Sequence, residues 1–209
     1  MKTPTAGIIL AAGESTRFGE LKQLLAVGGH FLIEWVLSAA LGSNLDHIVL
    51  VLGCEHERIR RSLGSATILP KCEILVNPDY PNGQSTSLKT GLLRVQHDFP
   101  SAMFLLGDQP LVDAALIDLL LERYLESQKA ICAPTYRGKR GNPTIFGCAF
   151  YPELLKLSGD KGARDLIIAH PGDVLTVEIA EPAAFHDIDR PEDVEKATLW
   201  LQSRHVRIR

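Results

Sequence analysis

An apolar run, Gly7-Ile8-Ile9-Leu10-Ala11-Ala12, breaks abruptly into Gly13-Glu14-Ser15-Thr16-Arg17-Phe18-Gly19-Glu20-Leu21-Lys22-Gln23. A short buried strand that opens into a loop of small residues constrains the fold more than any other stretch. Small side chains let an anion approach backbone N–H groups, and Arg17 and Lys22 can neutralise its charge. Open α/β sheets place their ligands at the carboxyl ends of their strands, which is where this loop lies. The glycines do not read G-x-G-x-x-G, and Lys22 follows Glu20 and Leu21 rather than a glycine, so neither common nucleotide fingerprint is present. On these residues alone, a polar turn with two solvated cations remains open beside a phosphate loop.

The rest of the chain alternates in the same manner. Short aliphatic runs at 7–11, 47–52, 73–76, 102–106 and 130–133 read as strands. Between them, apolar residues return every three or four positions at about 31–42, 55–63, 85–97 and 113–127, and Asp113 is placed to cap the last of these helices. This alternation implies a mostly parallel, mixed sheet covered by helices on both faces, a Rossmann-like three-layer α/β/α fold. Right-handed crossovers then bring the loops after the first and fourth strands to one edge. Beyond residue 134 the rhythm changes. A strand is expected at 144–146, helices near 150–157 and 161–169, a strand at 174–179, and a last helix entered at Pro191. The 209 residues suit a single domain over 1–209, with the small-residue loop in a first half to about 110 and a changed rhythm in the half beyond it.

Composition narrows the class. A net charge of −3 argues against a basic face for nucleic acid, and no apolar run approaches the roughly 18 residues that span a bilayer. Cys54, Cys72, Cys132 and Cys148 form no C-x-x-C pair, and three of them, Cys72, Cys132 and Cys148, lie in or beside apolar segments. Free buried thiols in a cytoplasmic protein are expected, rather than a zinc site or disulfides.

Two acidic segments point to chemistry. In Met103-Phe104-Leu105-Leu106-Gly107-Asp108-Gln109-Pro110, a carboxylate stands just beyond a buried strand. It can cap a turn, or it can serve a hard cation such as Mg²⁺, which takes one or two carboxylates plus phosphate oxygens. A phosphate loop on the same edge favours the cation. In Phe185-His186-Asp187-Ile188-Asp189-Arg190-Pro191-Glu192-Asp193, Asp187 and Asp189 share a face in extended chain. Either can supply a second metal carboxylate, Asp189 being the preferred one, and capping of the following helix is the competing role. Two basic stretches stand apart from these. Arg137-Gly138-Lys139-Arg140-Gly141-Asn142-Pro143 gathers three cations around glycines, and Gly159-Asp160-Lys161-Gly162-Ala163-Arg164 adds two more. Each is an anion site or a solvated loop.

The loop Leu10-Ala11-Ala12-Gly13-x-Ser15-x-Arg17-Phe18-Gly19 with Lys22-Gln23, the Gly107-Asp108-Gln109-Pro110 turn, and Asp187-Ile188-Asp189-Arg190-Pro191-Glu192-Asp193 together resemble the MobA-like nucleotidyltransferases. Within them the sequence is most similar to the molybdenum cofactor cytidylyltransferase group, in the same motif order from residue 7 to about 200. The resemblance implies a nucleotide-diphospho-sugar transferase type of fold and transfer of CMP from CTP to the phosphate of molybdopterin. On that pattern Leu10, Ala11, Ala12, Gly13 and Ser15 would hold the nucleotide, with Arg17 and Lys22 on its triphosphate. Asp108 and Asp189 would hold Mg²⁺, or Mn²⁺ in its place, and Arg17, Lys22 and Asp108 would form the catalytic set. Gly83, Ser85 and Ser87 fall in the family's base-binding segment. Arg140, Asn142, Lys161 and Arg164 would face the acceptor, although related cytidylyltransferases often carry His where this chain has Asn142. Guanylyltransferase relatives usually read Leu-x-Gly-Gly at the loop, so Ala12 leans the expectation toward CTP. The resemblance also admits a guanylyltransferase, another NTP transferase of this fold, or a non-catalytic carrier of molybdenum cofactor for a molybdenum hydroxylase client.

Overall fold

The computed structural model describes residues 3–14, 21–64, 70–160 and 162–203. Its strands are β1 (Thr5–Ala11), β2 (Ala26–Val27), β3 (His30–Phe31), β4 (His47–Leu52), β5 (Cys72–Val76), β6 (Ser101–Leu106), β7 (Ile131–Tyr136), β8 (Lys139–Arg140), β9 (Thr144–Gly147) and β10 (Val174–Glu178). The helices are α1 (Leu32–Gly42), α2 (His56–Leu63), α3 (Gln84–Val95), α4 (Ala114–Glu126), α5 (Tyr151–Leu154), α6 (Arg164–Ala169) and α7 (Pro191–Ser203). The expected core elements all form. The small β2–β3 hairpin and β8 carry no periodicity long enough to announce them, and α5 is shorter than its apolar pattern suggested.

One sheet runs in the order β10-β7-β9-β6-β1-β4-β5, with β8 paired to β7. The pairs β1–β4, β4–β5, β1–β6 and β7–β10 are parallel, whereas β9 is antiparallel to both β6 and β7. This is the mostly parallel, mixed α/β sheet expected.

Two apolar layers explain the uniformly hydrophobic strands. Ile9 and Ala11 of β1 turn toward α1, α2 and α4, joining Val36, Ile59 and Leu120. Ala6 and Ile8 turn the opposite way, toward α3, α5 and α6, joining Leu88, Leu154 and Ile167. Ile8 and Ile9 are both fully buried, so each contributes about 1.5–3 kcal/mol from a different face of one strand. Strands clad on both faces have no reason to alternate in polarity. A third cluster seats α7 on the β2–β3 hairpin through Val27, Trp35, Ala197 and Leu201, with the Trp35 indole donating to the Val27 carbonyl at 2.7 Å.

The chain proceeds from β1 outward to β4 and β5, then returns to the other side of β1 to form β6. The strand order therefore reverses between β1 and β6, and a crevice opens at their carboxyl ends. All four cysteines are free. Cys72 and Cys132 are buried as expected, and burial pushes the Cys132 thiol up to about 12. Cys148 corrects the expectation. It is exposed, because β9 ends at Gly147 and the next turn directs Phe150 inward instead.

Candidate active site

A cleft of about 800 Å³ occupies that reversal point. The end of β1 and its loop (Leu10, Ala11, Ala12, Gly13, Glu14) form one wall, and the end of β6 (Leu106, Gly107, Asp108) forms its neighbour. The two ends are held in register by the parallel pairing of Leu10 with Leu106, and the Gly107 N–H donates to the Leu10 carbonyl at 2.9 Å. Tyr80, Pro81, Gly83, Gln84 and Ser87 at the entrance to α3 close another side, and Asp160 and Asp189 complete the rim.

The β1 loop is held by a side chain to which the sequence had assigned no role. Gln23 is buried, and its Nε2 donates to the carbonyls of Ala11 and Gly13, each at 3.0 Å. Pinning two carbonyls from behind fixes how the intervening peptides are turned, which an anion-binding backbone requires. Two glycines make the neighbouring contacts feasible. A Cβ at Gly53 would stand 2.7 Å from the Ala12 carbonyl oxygen and 2.7 Å from the Tyr80 ring. Gly83 begins α3 at φ 105°, and a Cβ there would collide with the backbone of Gly159. The loop at 159–160 can thus press on the helix entrance, where the Ser85 N–H donates to the Gly159 carbonyl at 3.1 Å.

The charged centre is built from three distant segments. Lys22 Nζ lies 2.8 Å from Asp108 Oδ2 and 2.9 Å from Asp189 Oδ1. Burial disfavours the ammonium charge, but the two carboxylates outweigh it and raise its pKa above the ordinary lysine value. A backbone hydrogen bond brings the last acid into place, with the Ile188 N–H donating to the Asp108 carbonyl at 3.1 Å. Ile188 is buried between α7 and the β2–β3 hairpin. It therefore acts as an apolar peg that sends its two acidic neighbours to different partners.

Asp189 turns to Lys22, whereas Asp187 accepts from the Gln109 amide at 2.7 Å. Burial raises the Asp187 pKa; the Gln109 hydrogen bond opposes this, and the charges of Asp108 and Asp189 add to it. Helix capping, the competing role for these acids, falls to others. Asp193 accepts from the N–H groups of Asp189 and Arg190, and Asp113 caps α4 through Leu116 N.

Not every expected site residue meets this cleft. Leu10, Ala11, Ala12, Gly13, Lys22, Gly83, Ser87, Asp108 and Asp189 line it. Ser85 is buried under the first turn of α3 and does not, while Ser87 is engaged by Asn77 Nδ2 at 2.9 Å. Ser15, Arg17 and Lys161 lie outside the described residues. Arg140 and Arg164 are exposed, and Asn142 accepts from the Thr144 hydroxyl at 3.3 Å; none of the three borders the cleft. Asp160, Tyr80 and Gln109 were missed, and Asp187, offered beside Asp189 as a metal carboxylate, is held by Gln109 instead. For Gln109 a signal existed, since an amide directly after a site carboxylate is placed to orient a second one.

Among the described residues no group of three or more His, Cys, Asp or Glu converges as a metal centre. Two carboxylates that already share one cation fit a hard divalent ion whose other ligands are phosphate and water oxygens. No helix among the described residues is long and apolar enough to cross a membrane.

The chain has relatives among known proteins. The chain is 28% identical over 201 residues to the purine catabolism protein PucB of Bacillus subtilis (strain 168), covering 93% of this chain and 97% of PucB. A probable molybdenum cofactor guanylyltransferase of Natronomonas pharaonis is 28% identical over 201 residues, covering 91% and 95% of the two chains. Among solved structures, Rv0371c of Mycobacterium tuberculosis H37Rv superposes with a TM-score of 0.80 at 27% identity, over 95% of this chain and 100% of that one. Rv0371c has also been solved as a complex with manganese, at a TM-score of 0.76 and 27% identity, over 94% and 99%. The family model of the MobA-like NTP transferase domain matches residues 7–174, from β1 through the β6 turn to the start of β10, and the chain belongs to that family.

Proposed function

We propose that this nucleotidyltransferase joins CMP from CTP to the terminal phosphate of molybdopterin and releases pyrophosphate. The observation that carries the reading is the meeting of Lys22, Asp108 and Asp189 beside a pinned small-residue loop at the strand-order reversal. The acceptor phosphate is already anionic, so no strong general base is required. One of its oxygens bonds to the α-phosphorus of CTP, and the bond from that phosphorus to the β-phosphate bridging oxygen breaks. Catalysis is then a matter of positioning and charge neutralisation.

In this reading the β1 loop backbone from Leu10 to Gly13 cradles the triphosphate, and Lys22 and Arg17 offset the charge gathering on pyrophosphate. Asp108 and Asp189 would hold Mg²⁺ or Mn²⁺, which supplies Lewis-acid stabilisation of the phosphate oxygens. Ser87 and Gly83 border the cleft where a base would enter, and Ser85 is buried outside it. The acceptor would approach from the carboxyl ends of β7 and β10. There Arg140 pairs with Thr135 across the β7–β8 hairpin, and the Arg137 guanidinium lies 5.2 Å from the ring centroid of Tyr136, which packs on Phe185.

A guanylyltransferase is the second reading, because relatives such as the one from Natronomonas pharaonis carry that name. Ala12 in the loop is the residue that favours CTP. Pyrophosphate release measured with CTP, GTP, ATP and UTP in parallel, with molybdopterin as acceptor, separates the readings. Release with CTP at a kcat/KM at least about tenfold above the others is the expected result. A preference for GTP replaces the base assignment. Tight pterin binding with no nucleotide-dependent release would instead make the protein a carrier that hands the cofactor to a molybdenum hydroxylase.

A further inference from the structure

We propose that Lys22 is an internal stand-in for the divalent cation, holding the position between Asp108 and Asp189 until a triphosphate draws it away, so that metal and nucleotide are captured together. The inference rests on the reading of Asp108 and Asp189 as metal carboxylates and adds an order of events to it. The geometry is specific. A single ammonium reaches both acids at 2.8 and 2.9 Å, although they come from segments after β6 and before α7. Lys22 has only 14% of its side chain exposed, whereas Asp108 and Asp189 are 32% and 50% exposed, so both acids stay open to an incoming ion.

The lysine backbone cannot follow its side chain. Its carbonyl accepts from Leu25 N at 3.1 Å, and the next residue, Gln23, is tied to the β1 loop. Lys22 and that loop line the same cleft. The side chain can therefore exchange two carboxylates for phosphate oxygens by rotating about its own bonds.

A free divalent ion entering the resting protein must displace an ammonium that both acids hold, at 2.8 and 2.9 Å. A bound triphosphate offers that ammonium oxygens of higher charge than the carboxylates it leaves. Metal and nucleotide then raise each other's affinity by the same factor, as linkage requires. The cost of displacing the lysine adds to the coupling that contact between metal and phosphate itself supplies, and removing the ammonium should reduce it. Without the lysine the two carboxylates lose the cation that lies between them, and a divalent ion meets less competition for that position.

Mn²⁺ binding to the intact protein tests this, read by the electron paramagnetic resonance of the free ion. It is measured without nucleotide and with the non-transferable α,β-methylene analogues of CTP and of GTP. In the unsubstituted protein either accepted analogue should tighten Mn²⁺ binding by about tenfold or more. In Lys22→Met the nucleotide-free Mn²⁺ affinity should rise about tenfold over the unsubstituted protein, with a smaller further gain from the analogue than the unsubstituted protein shows. Lys22→Gln should behave alike, and adding Asp108→Asn to either should remove the gain. Folded Lys22→Met and Lys22→Gln proteins that bind Mn²⁺ no tighter than the unsubstituted chain would overturn the stand-in role while leaving the metal site intact. Absence of analogue-dependent tightening in the unsubstituted protein would overturn it as well, whatever the fate of the variants. Absence of Mn²⁺ binding under every condition would instead overturn the metal reading itself.

Discussion

Two cation-bearing segments at the carboxyl ends of the sheet, the β1 loop with Lys22 and the turn from Arg137 to Arg140, look alike in sequence and differ in how they are held. The β1 loop is anchored from three sides: by Gln23 behind its carbonyls, by the β6 turn beside it, and by the carboxylates that grip Lys22. The second segment is a hairpin between β7 and β8 whose Lys139 and Arg140 are exposed. Among its anchors is Glu178, which accepts from the Thr135 hydroxyl at 2.7 Å and the Arg137 N–H at 2.9 Å. A triphosphate demands fixed donors where charge develops. An acceptor that must enter and leave is served by a lighter, more adaptable edge. On the proposed reading, the same residue types would do different work according to what lies behind them.

The contrast fails if both segments govern the same substrate. Asp108→Ala should have the largest effect, a loss of about a hundred- to thousandfold in pyrophosphate release, with an unchanged circular dichroism spectrum. A folded variant with near-normal turnover would remove Asp108 from the catalytic centre. Arg17→Ala should approach the same loss, which steady-state kinetics with the preferred nucleotide would read.

Gly53→Ala should act next, through shape rather than charge, because the new methyl group meets the Ala12 carbonyl and the Tyr80 ring. A cost of about 1–3 kcal/mol in stability is expected, together with a raised KM for nucleotide. Chemical denaturation and initial-rate measurements check the two parts separately. Arg140→Ala and Arg164→Ala should raise the acceptor KM by roughly tenfold at most, the scale of one exposed charge contact, and leave the nucleotide KM alone. An equal shift in both constants would dissolve the division of labour.

The smallest effect concerns the hairpin anchor. The hydrogen bonds from Thr135 and Arg137 lower the Glu178 pKa below the ordinary carboxylate value. A depressed carboxylate adds stability above its unfolded pKa, and that stability is lost as pH falls through the folded value. Glu178→Gln should therefore melt slightly earlier than the unsubstituted protein at pH 7, and the gap should narrow below pH 4. A gap that persists in acid would assign the effect to packing instead.

Sequence reading reached the frame of the molecule through local periodicity. The strand at 47–52 forms at those residues, and Pro191 opens the last helix as its fixed φ suggested. What it could not reach depended on partners remote in the chain. The reversal of β9 follows from which strands flank it, β6 and β7, and nothing within Thr144–Gly147 encodes that choice. The two-residue strands β2, β3 and β8 are too short to display any period. At the site, the carboxylate at the end of β6 was legible because it directly follows a buried strand. Alternation alone could not choose between Asp187 and Asp189, because both lie on one face of extended chain. Their roles separate through Gln109 and Lys22, each many residues away. Gln23 went without a role for the same reason, since its worth lies in two carbonyls of another element.

The buried Ile188 has a consequence for how this protein can vary. Its peptide is fastened to the β6 turn, and its side chain is sunk beneath the last helix, so the acids on either side have fixed addresses. Inserting or deleting one residue between this anchor and Pro191 would shift the helix entry against a carboxylate that cannot travel with it. Drift in loop length, commonplace at protein surfaces, should be scarce across this short stretch in functioning descendants of the same ancestor.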